Sequence, residues 1–117
     1  MTLDLSKYLN KKYDDTDYNC LHFACDIYRD LTTVDMSADV RGLLTGRNHR
    51  HIDIAQLRRF TPTPNPIAPC LAIMHSDVMH AGIYYDNKII HLTECGVQCV
   101  PPHLAEIRHG RIKYYAI

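Results

Sequence analysis

The sequence predicts an α+β fold, with N-terminal helices packed on a C-terminal antiparallel β-sheet. Two observations carry this. Cys20, Phe23, Ala24, Ile27, Tyr28 and Leu31 recur at helical spacing and form one continuous apolar stripe. Further on, prolines 62, 64, 66 and 69 break the chain, and short apolar runs separated by turn residues follow. Helices first and a meander of strands second is an α+β pattern. The chain has 117 residues, the size of one domain with an ordinary core. The halves, 1–60 and 70–117, are joined by the proline-rich connector 61–69. That connector is a join within one domain, because neither half could bury a core alone.

Taken in order, Leu3 to Lys11 suits a short helix with Leu5, Tyr8 and Leu9 on one side. Tyr13 to Tyr18 is polar and aspartate-rich, a loop by composition. The main helix opens at Cys20, with Asn19 or Asp17 as its cap. Ser37 caps a second helix through Val40, Leu43 and Leu44, closed by Gly46. His51 to Phe60 reads as a third helix, with His49-Arg50-His51 as a solvated loop and helix start. After the prolines come a strand at Cys70–Met74, a turn at His75-Ser76-Asp77 and a strand at Met79–Tyr85. A two-residue turn at Asp86-Asn87 leads into a strand at Lys88–Leu92. Val97–Val100 is a further strand after Gly96, His103–Ile107 a helical turn, and Arg111–Ile117 closes the sheet.

Thirteen basic and thirteen acidic side chains cancel, so no basic surface points to nucleic acid. No apolar run has the length of a membrane span. The first residues lack a basic region followed by an apolar one. The expectation is therefore synthesis in a cytosol, with access to a periplasm only after lysis or as part of a particle. The five cysteines, 20, 25, 70, 95 and 99, are odd in number and argue against a disulfide framework.

Cys20 stands where a polar loop gives way to a helix. Unpaired N–H groups and the helix dipole favour its thiolate there, and the thiolate is the nucleophile. A nucleophilic thiol needs a base, and the base an orienting group. Two histidines on neighbouring strands supply candidates. Around the Asp86-Asn87 turn, position 80 pairs near 93 and 91 near 82, so His80 and His91 come close at one end of a hairpin. Whether both rings share a face depends on the turn register. His22, at i+2 from Cys20, points elsewhere and reads as surface or groove lining. Considered alone, Cys20 would read as a small buried hydrophobe, as most free cysteines are. The other four cysteines read as core or surface thiols. A metal site of Cys95, Cys99, His91 and His103 matches no familiar zinc spacing.

The strings Tyr18-Asn19-Cys20-Leu21-His22-Phe23, His80-Ala81-Gly82-Ile83-Tyr84 and Ile90-His91 occur in this order. From Tyr13 to the C-terminus the chain thereby resembles the NlpC/P60 family of papain-like cysteine peptidases. The resemblance implies Cys20 as nucleophile, His80 as base and His91 as orienting residue. It implies a tyrosine upstream of the cysteine lining the site, and the spacing leaves both Tyr13 and Tyr18 as candidates, with His22 beside them. The implied reaction is hydrolysis of an amide bond in cell-wall (peptidoglycan) stem peptides, with no metal or organic cofactor. The short domain is similar to small phage-encoded members, which implies phage tail proteins as partners. The chain departs from the family in having Asn19 before the cysteine and Leu21-His22 after it, where Asp and Ser-Gly are usual. The alternatives on the same skeleton are a thiol acyltransferase or deamidase, and a catalytically silent structural or host-interaction module.

Overall fold

The computed structural model describes residues 3–14, 16–45, 51–76 and 78–117. A single 3-10 turn at Ser6–Tyr8 comes first. Helix α1 (Cys20–Thr32) follows, then two short helices, α2 (Ser37–Val40) and α3 (Ile54–Leu57). Strands β1 (Leu44–Thr45) and β2 (His51–Ile52) pair with each other. A six-stranded sheet contains β3 (Thr61–Pro62), β4 (Cys70–His75), β5 (His80–Tyr85), β6 (Lys88–Thr93), β7 (Gly96–Val100) and β8 (Arg111–Ala116). Helix α4 (Pro102–His109) lies between β7 and β8 in the chain. The sheet order is β3-β8-β4-β5-β6-β7, antiparallel throughout, so the last strand inserts between β3 and β4. The architecture is α+β, as the periodicity predicts.

The sheet divides the core in two. On one side, Phe23, Ala24 and Ile27 of α1 pack with Leu71, Ile73, Ala81, Ile83, Ile90 and Leu92. On the other, Ala105 of α4 packs with Ala72, Met74, Ile89 and Ile112. Strand β4 is covered on both faces, and this accounts for its unbroken apolar run. Where expectation and structure differ, the cause is local. Leu3–Lys11 winds only one turn, with Leu9 left 70 % exposed and so adding little burial to hold a longer helix. The second helix stops at Val40, since Leu44 and Thr45 extend to pair with His51 and Ile52. That pairing also shortens the third helix to Ile54–Leu57, capped by Asp53. Gly46, His49 and Arg50 lie outside the described residues. The connector is not wholly without regular structure: Thr61 and Pro62 pair with Ala116 and Tyr115 at the sheet edge, where proline is tolerated. His75 ends β4 rather than starting a turn, and the helix after Pro101 runs eight residues.

Asp86 and Asn87 both have positive φ, the geometry of a tight two-residue hairpin turn. Gly110 matters more. Its φ is +102°, and a Cβ there would lie 2.2 Å from the carbonyl oxygen of His75. Gly96 has φ +109° with open space around it. Gly110→Ala is therefore expected to lose at least about 2 kcal/mol of stability and Gly96→Ala about 1 kcal/mol. Urea unfolding at constant m-value checks this, and equal losses would contradict the steric account.

Candidate active site

Cys20 is the first residue of α1, and Asn19 caps the helix through a reciprocal pair of bonds. The Asn19 side chain accepts from the N–H groups of Leu21 (2.9 Å) and His22 (3.2 Å), and His22 Nδ1 accepts from the Asn19 N–H at 3.0 Å. The expected choice between Asn19 and Asp17 as cap is settled for Asn19. His22 thus has a structural task besides lining a groove. That groove, about 600 Å³, is formed by residues including Asn19, Leu21, Cys25, Val40 and Arg41.

The hairpin register places Ile83 opposite Ile90. Continued by one residue, it sets Gly82 opposite His91. Ala81, Ile83, Ile90 and Leu92 face α1, so His80, Gly82 and His91 share the opposite face. His80 and His91 are then diagonal neighbours, and their rings meet. His80 Nε2 lies 2.7 Å from His91 Nδ1, and the ring centroids are 4.9 Å apart. Gly82 makes this contact sterically feasible. A Cβ at position 82 would lie 3.0 Å from His91 Cβ and 3.0 Å from the Ile90 carbonyl oxygen.

The thiol arrives from the other side. The β5–β6 pairing runs from Tyr85↔Lys88 to Ile83↔Ile90. Beyond it, the N–H of Ala81 donates to Cys20 Sγ at 3.4 Å, across 61 residues of sequence. The structure thus seats the Cys20 sulfur on the backbone of the residue next to His80. Cys20 is only 1 % exposed, His91 is fully buried and His80 is 9 % exposed. His80 borders a groove of about 550 Å³ that also contains Tyr13, Glu94, Gln98 and Arg108. Of the two candidate tyrosines, Tyr13 lies in this groove. Tyr18 instead donates to Asp26 at 2.5 Å and stacks on His22.

A third histidine was not singled out from the sequence. His109, the last residue of α4, stacks on His80 (4.8 Å between centroids, 28° between planes) and meets His91 edge-on at 5.0 Å. Its signal was slight: a basic pair, Arg108-His109, ahead of the glycine that stops a helix.

Burial holds these rings neutral. His80 is pushed well below the usual histidine range by desolvation and by its two histidine neighbours. Desolvation and the charges of His109 and Arg108 bring His91 down to about 4. His109 is lowered by desolvation and by Arg108. No disulfide joins any of the five cysteines. Burial raises Cys25 to about 12, with Asp35 and Asp26 adding to it, and raises Cys70 to about 11, so both stay as unreactive thiols. Among the described residues, Cys95, Cys99 and His103 do not gather into a group of metal-ligating side chains.

Comparison with protein-family models, with curated proteins and with solved structures finds no match. Among the described residues, no helix is long and apolar enough to cross a membrane.

The unfolded chain takes up protons near pH 6.5 that the buried histidines refuse. Their folded values lie lower, so their contribution to stability is complete above about pH 6.5. It is lost as pH falls through the interval towards about 4. Urea midpoints between pH 7.5 and 4.5 should fall, and the fall should be shallower in His91→Gln. An identical slope in the variant would contradict the assignment.

Proposed function

We propose that the protein is a cysteine peptidase or amidase of NlpC/P60 type, acting through Cys20, His80 and His91. One observation carries the reading: Cys20 Sγ is seated on the Ala81 N–H at 3.4 Å, beside His80, whose ring is held by His91 at 2.7 Å. A thiol and two imidazoles drawn from two distant stretches of chain thereby lie at one end of one hairpin, and these are the groups that a nucleophile, a base and an orienter require. The α+β layout, with the Cys20 helix packed on β5 and β6, supports this reading.

The chemistry follows from the groups. With His80 Nε2–H donating to His91 Nδ1, the other nitrogen of His80 keeps its lone pair. It takes the Cys20 proton as the sulfur bonds to an amide carbonyl carbon. The carbonyl π pair moves to oxygen, and the positive end of the α1 dipole favours that negative charge. Collapse breaks the C–N bond, and His80 returns the proton to the leaving amine. A thioester remains, and water activated by the same imidazole hydrolyses it. His80 is neutral at rest and so is able to accept the Cys20 proton during attack. The Ala81 N–H stabilises the negative sulfur. The sulfur is 1 % exposed, so the cover over it has to shift for a substrate to reach it.

The substrate class is an amide in a cell-wall stem peptide, with phage tail proteins as partners. Both follow from the family resemblance and from no contact in the fold. The cover over Cys20 favours one second reading, a silent structural or host-interaction module that keeps the scaffold.

Purified peptidoglycan incubated with the protein should release stem-peptide fragments, detected by mass spectrometry as new amines. Cys20→Ala and His80→Gln should each lower the rate by about 10²–10⁴-fold. Unchanged release by Cys20→Ala would overturn the enzyme reading, and no release by the native chain on any stem peptide would favour the silent module. A base with a depressed value remains unprotonated in mild acid. The acid limb of kcat/KM should therefore fall below pH 6.5 and not near neutrality.

A further inference from the structure

The ring that the proposed reaction does not use is His109. It closes a cluster: one ring nitrogen from each of His80, His91 and His109 lies within 4.8 Å of the other two. Three elements supply these rings, β5, β6 and the C-terminal end of α4, and each ring is held by packing. His91 is fully buried, and its Nε2 has no hydrogen-bond partner. A buried polar atom without a protein partner leaves a place for a ligand or a water. We infer that His80, His91 and His109 form a binding site for a divalent transition metal of the zinc class.

The donor set fits that class. Three imidazoles with one position left open is a familiar ligand set for Zn²⁺, and imidazole suits it better than it suits Mg²⁺ or Ca²⁺. Zinc–nitrogen bonds of about 2.0–2.1 Å place tetrahedral ligand atoms about 3.3 Å apart. The widest separation here, 4.8 Å, closes with a small rotation of the rings. The 2.7 Å contact between His80 Nε2 and His91 Nδ1 would have to open slightly. His80 and His109 both line the groove of about 550 Å³, so the fourth position opens on solvent and takes a water. Glu94 supplies a negative charge in that groove. Arg108 supplies a positive one, and its guanidinium is turned to Gln98, donating to Oε1 at 3.2 Å.

Metal bound at the orphaned Nε2 of His91 and at the His80 ring would pull the two rings out of the 2.7 Å hydrogen bond that holds His80 in its working orientation. On the function proposed above, the site is a reversible off-switch: metal silences the thiol chemistry and a chelator restores it.

The test uses the full chain with Co²⁺ and Zn²⁺ as probes. Binding is read from the visible absorption of tetrahedral Co²⁺, from its displacement by Zn²⁺, and from the rise in Tm with Zn²⁺. The expected result is one metal per chain. His109→Phe keeps a ring against His80 but removes the nitrogens, and should weaken binding at least about tenfold. Cys20→Ala and the double variant Cys95→Ser/Cys99→Ser should bind as the native chain does. Native affinity in His109→Phe, or lost binding in the cysteine double variant, would overturn the site. Should His109→Phe fail to fold by circular dichroism, His109→Ala and His109→Gln carry the same comparison. In the peptide-release assay, Zn²⁺ should stop turnover and EDTA restore it. Stimulation by Zn²⁺ would overturn the switch. The binding readouts decide the metal site even if no peptide is cleaved, so the two proposals fail separately.

Discussion

One register determines the site. Ile83 stands opposite Ile90 across a two-residue turn, and from that pairing the rest is counted off. Gly82 falls opposite His91, His80 falls two residues further along on the same face, and their rings come to 2.7 Å. A slip of one residue would send one histidine to the α1 face and the other to the α4 face. The turn residues Asp86 and Asn87 hold the register through their positive φ angles. The apolar pairs Ile83–Ile90 and Tyr84–Ile89 hold it through burial. Gly82 completes it, because a Cβ there would crowd His91 Cβ and the Ile90 carbonyl oxygen at 3.0 Å.

The sheet itself separates the two halves of the constellation. Sulfur comes from the α1 face and the imidazoles from the α4 face, on either side of the point where β5 and β6 stop pairing. There the Ala81 N–H points at Cys20 Sγ in place of a strand partner. Setting three imidazoles in one buried cluster disfavours charging any of them. Each added positive charge would be desolvated and would face like neighbours, so all three are pushed down. The site is consequently a set of neutral donors and acceptors. That suits general-base chemistry at His80, and it also suits coordination of a metal. Gly110 links this cluster to the fold: its left-handed backbone lets α4 end against His75, which brings His109 onto His80.

What the sequence made legible was periodic. The stripe from Cys20 to Leu31, the alternation after the prolines and the Asp86-Asn87 turn specify α1, the strands and the hairpin, because each is a local pattern with its own physics. The diagonal approach of His80 and His91 could be counted from the turn, although the shared face required the register. Short segments were less legible. Leu44 and Ile52 fall within two expected helices but are claimed by a two-residue strand pair, a contact between positions too far apart for a local pattern to reveal. His109 was hidden for a similar reason: its role depends on how far α4 runs and how Gly110 turns, and neither is a matter of spacing. His22 has no repeat to mark it, and only the capping geometry shows its use.

The central claim is that His80 serves Cys20 as a base. The most direct measurement is the rate of Cys20 alkylation by iodoacetamide at pH 7, located by peptide mapping, in the native chain and in His80→Gln. The variant is expected to slow alkylation of Cys20 at least about tenfold while the exposed thiols of Cys95 and Cys99 react as before. Equal rates at Cys20 in the two proteins would contradict it.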